Sequence, residues 1–374
     1  MKVHADIGNR HHVASPLSAW LLMALVGPAS EGPDRSTIAE AVGMEFGAAR
    51  RAAVTLLEHP LPDLHLRLAA WNAPGASFGP LASPALVDHG EIPSPARLNA
   101  WASRGTAGLI TNFTVDREAA IVLASALGVR LEWREPFNTT SSAALGPGSA
   151  WRSDVKRVLS SEGRVWHEAY VIDGGPAGDV GVHVAFAKGA LSAVSVIGHP
   201  NLPVADVMKL AHAVAAGDRS LPRRSLFDLP LGEGPLCTVT ERAVLTAVPD
   251  GKEESSSAVL PAWQAQSQHE LLAVHLPALS DAPFTLAQTA LARYYRKGFE
   301  GAAVSSLVAM GITPRRRPGL RRTAVIRFAH PYAVVTVGSP DQARFSDRMA
   351  AGHFDIWQGV PVLSAWVTEA AEPD

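Results

Sequence analysis

Two stretches of the chain are apolar at almost every position, which predicts elements that are buried on all faces. The stretch AWLLMALVG follows Ser15 and Pro16, so we expect a helix with Ser15 as its N-cap and Pro16 at its first position, ending near Gly27. The stretch IVLASALGV, from Ile121 to Val129, is typical of a buried element in the middle of the fold that ends in a strand.

The remaining periodic segments predict both helices and strands. Helices are expected over Asp34 to Val42, Ala96 to about Ser103, and Val204 to Ala216. Strands or extended elements are expected within Val180 to Gly198, with a hairpin at Lys188-Gly189, and over Leu286 to Tyr295, Tyr332 to Val337 and Val360 to Val367. Because no repeat or low-complexity linker divides the chain, we interpret residues 1–374 as one domain of α+β type.

The stretch from Gly298 to Tyr332 breaks this pattern. It has no clear periodicity until a β-type run over Thr323 to Phe328, and it is rich in proline and arginine. A structureless stretch of this length inside a domain is uncommon unless it is functional or disordered. Five of its arginines fall within eight positions, and we expect them to face water because burying them would be costly: Arg315, Arg316, Arg317, Arg321 and Arg322.

Composition and charge exclude several classes of function. Charged residues make up 18% of the chain and the formal net charge is −2, so no nucleic-acid or membrane partner is expected. Cys237 is the only cysteine, and no Cys/His set has zinc spacing, so we expect neither a metal nor a cofactor. Without a nucleophile elbow, a P-loop or a Rossmann glycine pattern, the sequence argues against an enzyme.

The N-terminus bears on where the protein acts. No apolar run of signal-peptide length follows Met1, and no segment offers about 20 apolar residues for a membrane span. As written, the chain is expected to be cytoplasmic. If the true start lies upstream, the alternative is a secreted protein.

Four short motifs follow one another along the chain. They are Ala14-Ser15-Pro16-Leu17-Ser18; Leu98-Asn99-Ala100-Trp101 with Thr106, Gly108 and Ile110; SALGVRLEWREPF from Ser125 to Phe137; and Phe328-Ala329-His330-Pro331-Tyr332. In order and spacing they resemble the serpins, the serine-protease-inhibitor superfamily, as a divergent member of bacterial type. The resemblance implies a large mixed central β-sheet, two further sheets, eight or nine helices and an exposed reactive-centre loop at 298–322. By the same resemblance, we expect most of the family's N-terminal helix to be absent from the chain as written.

The resemblance also implies a mechanism. In inhibitory serpins a protease cleaves the exposed loop, and the freed loop inserts as a strand into the central sheet. Alternate residues of an inserted strand become buried, so the hinge should be small at every second position, which Phe299 violates. The hinge that the resemblance implies comprises Gly298, Phe299, Glu300, Gly301, Ala302, Ala303, Val304, Ser305 and Ser306.

The scissile bond stays open among several positions. Counting from Gly298 places it at Ile312-Thr313, whereas counting back from Phe328 places it near Leu320. Three arginines are rival sites for trypsin- or furin-like enzymes: Arg315, Arg316 and Arg317. The implied partner is a serine protease, or a cysteine protease, acting on a monomeric inhibitor.

Two further groups follow from the resemblance. A polar cluster beneath the central sheet would comprise Ser15, Ser18, Ser125 and His330, with Ser125 standing where the family has asparagine. Trp133 would lie at the top of the sheet, where the loop enters. The alternative reading is a non-inhibitory binding protein of the same fold, whose loop is cut as a substrate or contacts an anionic partner. A solvated linker also remains open for the arginine-rich stretch.

Overall fold

The computed structural model describes residues 8–29, 32–75, 87–116, 119–274, 284–298, 316–339 and 355–373. Within these ranges the chain forms three β-sheets and five α-helices. The helices are α1 (Pro16–Val26), α2 (Gly32–Val42), α3 (Phe46–Glu58), α4 (Pro95–Gly105) and α5 (Val204–Ala215).

The strands alternate with these helices and with short turns. In chain order they are β1 (His12–Ala14), β2 (Leu64–Asn72), β3 (Asp88–Glu91), β4 (Ile121–Val129), β5 (Asn138–Ser141), β6 (Arg157–Ser160), β7 (His167–Asp173), β8 (Asp179–Phe186), β9 (Leu191–Ile197), β10 (Gly232–Glu233), β11 (Cys237–Thr246), β12 (Lys252–Leu260), β13 (Trp263–Val274), β14 (Phe284–Tyr294), β15 (Arg317–Arg327), β16 (Tyr332–Gly338) and β17 (Pro361–Val367). The predicted α+β class is therefore confirmed.

One five-stranded sheet, which we call the central sheet, has the order β13-β14-β4-β2-β3. Two of its four strand pairs are antiparallel, β13/β14 and β4/β2, and two are parallel, β2/β3 and β14/β4. Strands β14 and β4 pair in register from Phe284 opposite Ile121 to Leu291 opposite Gly128. Both faces of β4 are covered. Leu123 and Leu127 belong to the core that includes helix α1, whereas Ala124 and Ala126 belong to the core that includes helix α4. Burial on both faces explains why β4 is apolar without alternation.

The other two sheets have six strands each, in the orders β1-β17-β16-β9-β8-β7 and β10-β11-β15-β12-β6-β5. Helix α5 covers the first of them with Val207, Met208 and Ala211, which lie on one side of the helix. The hairpin expected at Lys188-Gly189 joins β8 and β9.

Helix α1 begins as the sequence predicts. Ser15 is its N-cap and accepts a hydrogen bond from the Ser18 amide, Pro16 occupies the first turn, and Gly27 is the C-cap. The strands expected at Leu286 to Tyr295 and at Val360 to Val367 are also present, with ends shifted by one or two residues. Such shifts are normal for element boundaries.

The number of helices is lower than the eight or nine expected, because the described residues contain five. One of these five, α3, was not predicted. Its N-cap is Glu45, whose carboxylate accepts hydrogen bonds from the amides of Gly47 and Ala48, and glutamate is not among the usual N-cap residues. The helical spacing of Phe46, Ala49, Ala53 and Leu56, all buried, was the signal that could have revealed it.

The predicted loop also ends earlier than expected. Strand β15 begins at Arg317 and pairs antiparallel with β11 and parallel with β12, so residues 317–322 belong to a sheet and not to an exposed loop tip. Arg321 and Arg322 can lie there because acidic side chains on the adjacent strands neutralise them. Arg321 pairs with Glu253 at 2.6 Å and Arg322 pairs with Glu241 at 2.8 Å.

Candidate functional site

The chain leaves the central sheet through a tight turn at the end of β14. The Gly298 amide donates to the Tyr295 carbonyl at 3.2 Å, and Gly298 then forms an antiparallel bridge with Glu132. Gly298 has φ = +92°, and a Cβ at this position would lie 2.2 Å from the carbonyl oxygen of Leu131. The turn therefore requires glycine for both its conformation and its close approach to the backbone. Just past β14, the chain has already reversed relative to β4.

We call residues 131–137 and 294–298 together the rim of the central sheet. Trp133 lies within it and is 1% exposed. Its indole Nε1 donates to the Tyr295 carbonyl at 2.9 Å, and its amide donates to the Lys297 carbonyl at 3.3 Å. Its ring packs on Tyr294 with centroids 5.1 Å apart. Trp133 thus joins the continuation of β4 to the continuation of β14.

A second pair of contacts closes the rim. The Phe137 amide donates to the Arg296 carbonyl at 3.0 Å, and the Arg296 guanidinium Nε donates back to the Phe137 carbonyl at 3.2 Å. The Phe137 ring also packs near Tyr294, with centroids 5.8 Å apart. Any strand that enters between β4 and β14 from this end has to break these bonds first.

A buried polar cluster lies beneath the middle of the central sheet. Its centre is Gln288 of β14, whose carboxamide oxygen accepts from the Ser15 amide at 2.9 Å. The carboxamide nitrogen donates to the Ser15 carbonyl at 2.8 Å and to Ser18 Oγ at 2.7 Å. Ser15 Oγ in turn donates to the Val362 carbonyl at 2.8 Å. The side chains of this cluster are fully or almost fully buried, and Gln288 ties β14 to the start of helix α1.

Ser125 lies opposite Gln288 in the register between β4 and β14 and is also fully buried. Its hydroxyl nevertheless has no hydrogen-bond partner among the described residues. Serine is shorter than the asparagine expected by resemblance, and the long polar arm comes instead from Gln288 on the neighbouring strand. This residue was not predicted. The signal that could have revealed it is a lone carboxamide inside the apolar run that ends at Tyr295.

His330 does not belong to this cluster, contrary to the sequence-based expectation. Its Nδ1 lies 3.2 Å from the Pro331 carbonyl, in the turn between β15 and β16. Burial is the main cause that lowers the pKa of His330, and the imidazole of His199 lowers it further. The Phe-x-x-His-Pro-Tyr motif therefore brings His330 to another part of the fold than Gln288 and Ser125.

Most of the predicted hinge and scissile residues lie outside the described residues. The exceptions are Gly298, which is described above, Arg316 and Arg317. Both arginines are exposed, and Arg317 opens β15 opposite Thr246. Leu320, the position reached by counting back from Phe328, lies inside β15 opposite Ala243. A bond held in a paired strand is a poor protease substrate, so the strand start limits the cleavable segment to residues before Arg317.

Arg322 is held from several sides. Its side chain is 15% exposed, and besides Glu241 it donates to the carbonyls of Leu226 and Leu229 at 2.9 and 3.0 Å. Its guanidinium also stacks over the Phe227 ring at 4.8 Å. This arginine is a structural residue of the sheet and is not part of a protease-binding tip.

Across the part of the chain that is described, no helix combines the length and the apolar character that crossing a membrane requires.

Comparison with known proteins rests on structure alone. No protein-family model matches the sequence, and no curated protein is significantly similar to it. Solved structures do match. The thermophilic serpin tengpin in its native state has a TM-score of 0.62 at 13% identity, covering 96% of this chain and 89% of that one.

Two further structures from other sources agree over the same length. Serpin48 from the insect Tenebrio molitor, described as highly specific, has a TM-score of 0.60 at 13% identity and covers 98% of this chain and 93% of its own. Human thyroxine-binding globulin, in a complex with thyroxine, has a TM-score of 0.62 at 12% identity and covers 98% and 94%. Together with the observed sheets and the order of the motifs, these matches show that the chain has the serpin fold.

Proposed function

We propose that this protein inhibits a serine protease by letting the protease cut the segment after Gly298, which then inserts into the central sheet between β4 and β14. The observation that carries the proposal is the combination of a parallel β4/β14 pair with a chain reversal at Gly298. We propose a monomeric inhibitor, with cysteine proteases as less favoured targets.

The direction of the chain favours insertion at this place. A segment that follows β14 and folds back runs antiparallel to β14, and because β4 is parallel to β14 it also runs antiparallel to β4. The inserted strand would replace one parallel ladder with two antiparallel ladders, which have straighter hydrogen bonds. At the antiparallel bridge between Gly298 and Glu132 the chain already runs in this direction.

The free energy that insertion would release is large compared with the cost of burying an oversized side chain in the hinge. Inserting about a dozen residues at about 1 kcal/mol net per backbone hydrogen bond gives a driving free energy on the order of 10 kcal/mol. The sequence puts Gly301, Ala303 and Ser305 on the face that becomes buried, so the required cavity is small. Phe299 shares that face, and an overpacked side chain costs about 1 to 3 kcal/mol.

The proposal is tested by incubating the protein with trypsin and with subtilisin. We expect a complex that survives SDS, together with loss of protease activity. Clean cleavage between residues 299 and 317, with full protease activity remaining, would contradict inhibition. Mass spectrometry of the released C-terminal fragment identifies the scissile bond.

A matched pair of variants tests the insertion step itself. Ala303→Arg puts a charged side chain on the face that insertion buries, whereas Ala302→Arg puts the same side chain on the opposite face. We expect the first variant to be cleaved as a substrate without inhibition, because a buried unpaired charge is costly. The second should still inhibit. Equal behaviour of the two variants would argue against insertion as an alternating strand.

The rim gives a specific reason to keep a second candidate, a non-inhibitory binding protein. The bonds that Trp133 and Phe137 make to residues 295–297 have to break before a strand can enter. If deacylation is faster than this step, the protease leaves a cut protein and stays active. For this candidate, cleavage should leave the melting temperature almost unchanged, whereas insertion should raise it strongly.

A further inference from the structure

Two buried histidines lie behind the rim. His167 on β7 and His183 on β8 are 7% and 0% exposed, and their rings stack with centroids 5.4 Å apart and an interplanar angle of 18°. Nδ1 of His167 lies 3.3 Å from Nε2 of His183. The two strands pair antiparallel, which fixes this spacing.

The hydrogen bonds fix which nitrogens carry protons. Nε2 of His167 lies 2.7 Å from the carbonyl oxygen of Glu135, and a carbonyl can only accept, so this nitrogen donates. Nδ1 of neutral His167 is then an acceptor, and Nε2 of His183 donates to it. The last nitrogen, Nδ1 of His183, has no hydrogen-bond partner among the described residues.

This arrangement has no place for an additional proton. A proton on Nδ1 of His167 would face the N–H of His183 at 3.3 Å, a donor against a donor, unless His183 moved its own proton from Nε2 to Nδ1, where it would have no acceptor among the described residues. A proton on Nδ1 of His183 would be buried without an acceptor, which is costly for a charged group. The pair is therefore stable only when both rings are neutral.

The pair is connected directly to the rim. The Phe137 ring lies 4.3 Å from the His167 ring and 5.5 Å from the His183 ring, measured between centroids. Phe137 is also the residue whose amide and carbonyl bind Arg296, and whose ring packs near Tyr294 at the end of β14. Moving the imidazoles therefore disturbs the contact between Phe137 and Arg296, which holds the chain that follows β4 to the chain that follows β14.

Few titratable groups surround the pair. The Glu135 carboxylate favours protonation of His167, and the Arg164 guanidinium, 3.0 Å from that carboxylate, opposes it. From β14 comes the phenol of Tyr294, whose pKa is raised by burial and which stays uncharged. From β9 comes Ser195, the register partner of His183, whose hydroxyl does not titrate.

We propose that His167 and His183 form a pH-sensitive latch: acidification protonates the pair, loosens Phe137 from the end of β14 and favours opening of the central sheet at its rim. This regulates the same place where the proposed function requires insertion, and its use for inhibition rests on that function. The opening itself does not, because it needs no protease.

The direction of the effect follows from proton linkage. Burial lowers the pKa of His167 to about 4 and holds the pKa of His183 well below its usual value. Histidines that reach water in the opened sheet regain a pKa near 6.5, so the opened state binds more protons between these values. The closed sheet is fully favoured above pH 6.5 and loses that advantage as pH falls towards 4. One such histidine predicts a roughly 30-fold higher opening equilibrium at pH 5 than at pH 7.5.

The test is hydrogen exchange of the full chain without protease, at pH 5 and pH 7.5, corrected for intrinsic rates. Peptides covering 130–137 and 284–298 report on the rim. We expect at least roughly 30-fold more opening at pH 5 in the original protein, because one histidine alone gives that factor, and less than about threefold in the double variant His167→Gln, His183→Phe.

The control is His212→Gln on helix α5. Burial also lowers the pKa of His212 to about 4, but this residue belongs to a different face of the fold. It should keep the original pH response of the rim. Retention of the response by the double variant, or its loss in His212→Gln, would overturn the latch.

A second measurement does not depend on any variant. NMR titration of the imidazole nitrogens in the original protein should show both rings uncharged at pH 6, and a charged ring of either residue at that pH would refute the inference. Inhibition that succeeds without pH-dependent opening removes only the latch. Opening that depends on pH in a protein that does not inhibit removes only the proposed function.

Discussion

Gln288 and Ser125 lie directly opposite each other on the parallel strands β14 and β4, yet of their two side chains only that of Gln288 is hydrogen-bonded. Its three bonds lead to Ser15 and Ser18 at the start of helix α1 and make no contact across the gap between the two strands. Separation of β4 from β14 therefore breaks backbone pairing but leaves this polar cluster intact on the β14 side.

Replacing Gln288 by alanine should destabilise the protein strongly. The change removes three hydrogen bonds and leaves the amide and carbonyl of Ser15 buried without that partner, so we expect a loss of about 2 to 4 kcal/mol in the free energy of unfolding. Denaturant titration measures it. The control is Gln266→Ala on the neighbouring strand β13, where the side chain is exposed and the change should stay within about 0.5 kcal/mol. Equal losses would show that the cluster adds no stability.

Two serine-to-alanine changes should have opposite effects. The Ser125 hydroxyl is buried without a partner, so Ser125→Ala should be neutral or stabilise the protein by up to about 1 kcal/mol. The Ser18 hydroxyl accepts from Gln288 at 2.7 Å, so Ser18→Ala should cost about 1 to 2 kcal/mol. The same denaturant titration compares them. A larger loss for Ser125→Ala than for Ser18→Ala would contradict the assignment of the cluster.

Three residues of this polar region, Ser15, Ser18 and Ser125, were predicted from the sequence, and the fourth, Gln288, was missed for a physical reason. Ser15 could be assigned as a helix cap because capping leaves a local signature, a serine before a proline and an apolar helix. Ser18 and Ser125 were placed in the cluster only by the family resemblance. Gln288 was missed: a lone carboxamide in an apolar run marks a buried polar side chain, but its partners are more than 250 residues away in the chain, so the neighbouring sequence does not identify them. His330 was chosen by motif, and a motif gives identity without giving the place to which the fold brings the side chain.

Gly298→Ala should be much more harmful than a glycine replacement at an open site. The new Cβ would lie 2.2 Å from the Leu131 carbonyl oxygen in a backbone conformation with φ = +92°. We expect the melting temperature to fall and the unfolding free energy to drop by about 2 to 4 kcal/mol, since conformational strain and overpacking add. At Gly217, φ is +76° and nothing lies within 4 Å, so Gly217→Ala should cost only about 1 to 2 kcal/mol.

A similar effect of the two glycine variants would mean that the turn at Gly298 moves freely. It would also remove the reason for treating Gly298 as the fixed end of the insertable segment. Thermal unfolding monitored by circular dichroism gives the comparison in one experiment.

Limited trypsin digestion of the native protein should separate the arginines into two groups. Cleavage is expected after Arg315 or Arg316, which precede β15, and not after Arg321 or Arg322, which lie in a strand paired on both sides. Mass spectrometry of the fragments locates the cuts. Early cleavage at Arg322 would contradict the strand start at Arg317.

The start of β15 shows where sequence-based prediction of this region fails. An arginine-rich segment looks like an exposed loop when it is considered alone, because burial of unpaired charge is costly. The compensating carboxylates, Glu253 and Glu241, lie on β12 and β11, about 70 to 80 residues earlier, and only the paired sheet brings them to Arg321 and Arg322. In contrast, β4 and helix α1 were predictable because almost every residue in them is apolar, which by itself indicates burial on all faces.

The bonds of helix α1 also govern the order in which the protein can fold. Ser15, the N-cap of this helix, is hydrogen-bonded to Gln288 and to the carbonyl of Val362, which are 273 and 347 positions away. During synthesis, the polar groups at the start of helix α1 can therefore form these hydrogen bonds only after nearly the whole chain has been made. Contacts of such long range form slowly, and the apolar surface that they cover stays available to wrong partners in the meantime. We expect the yield of native protein to depend on chaperones and on temperature more than its final stability would suggest.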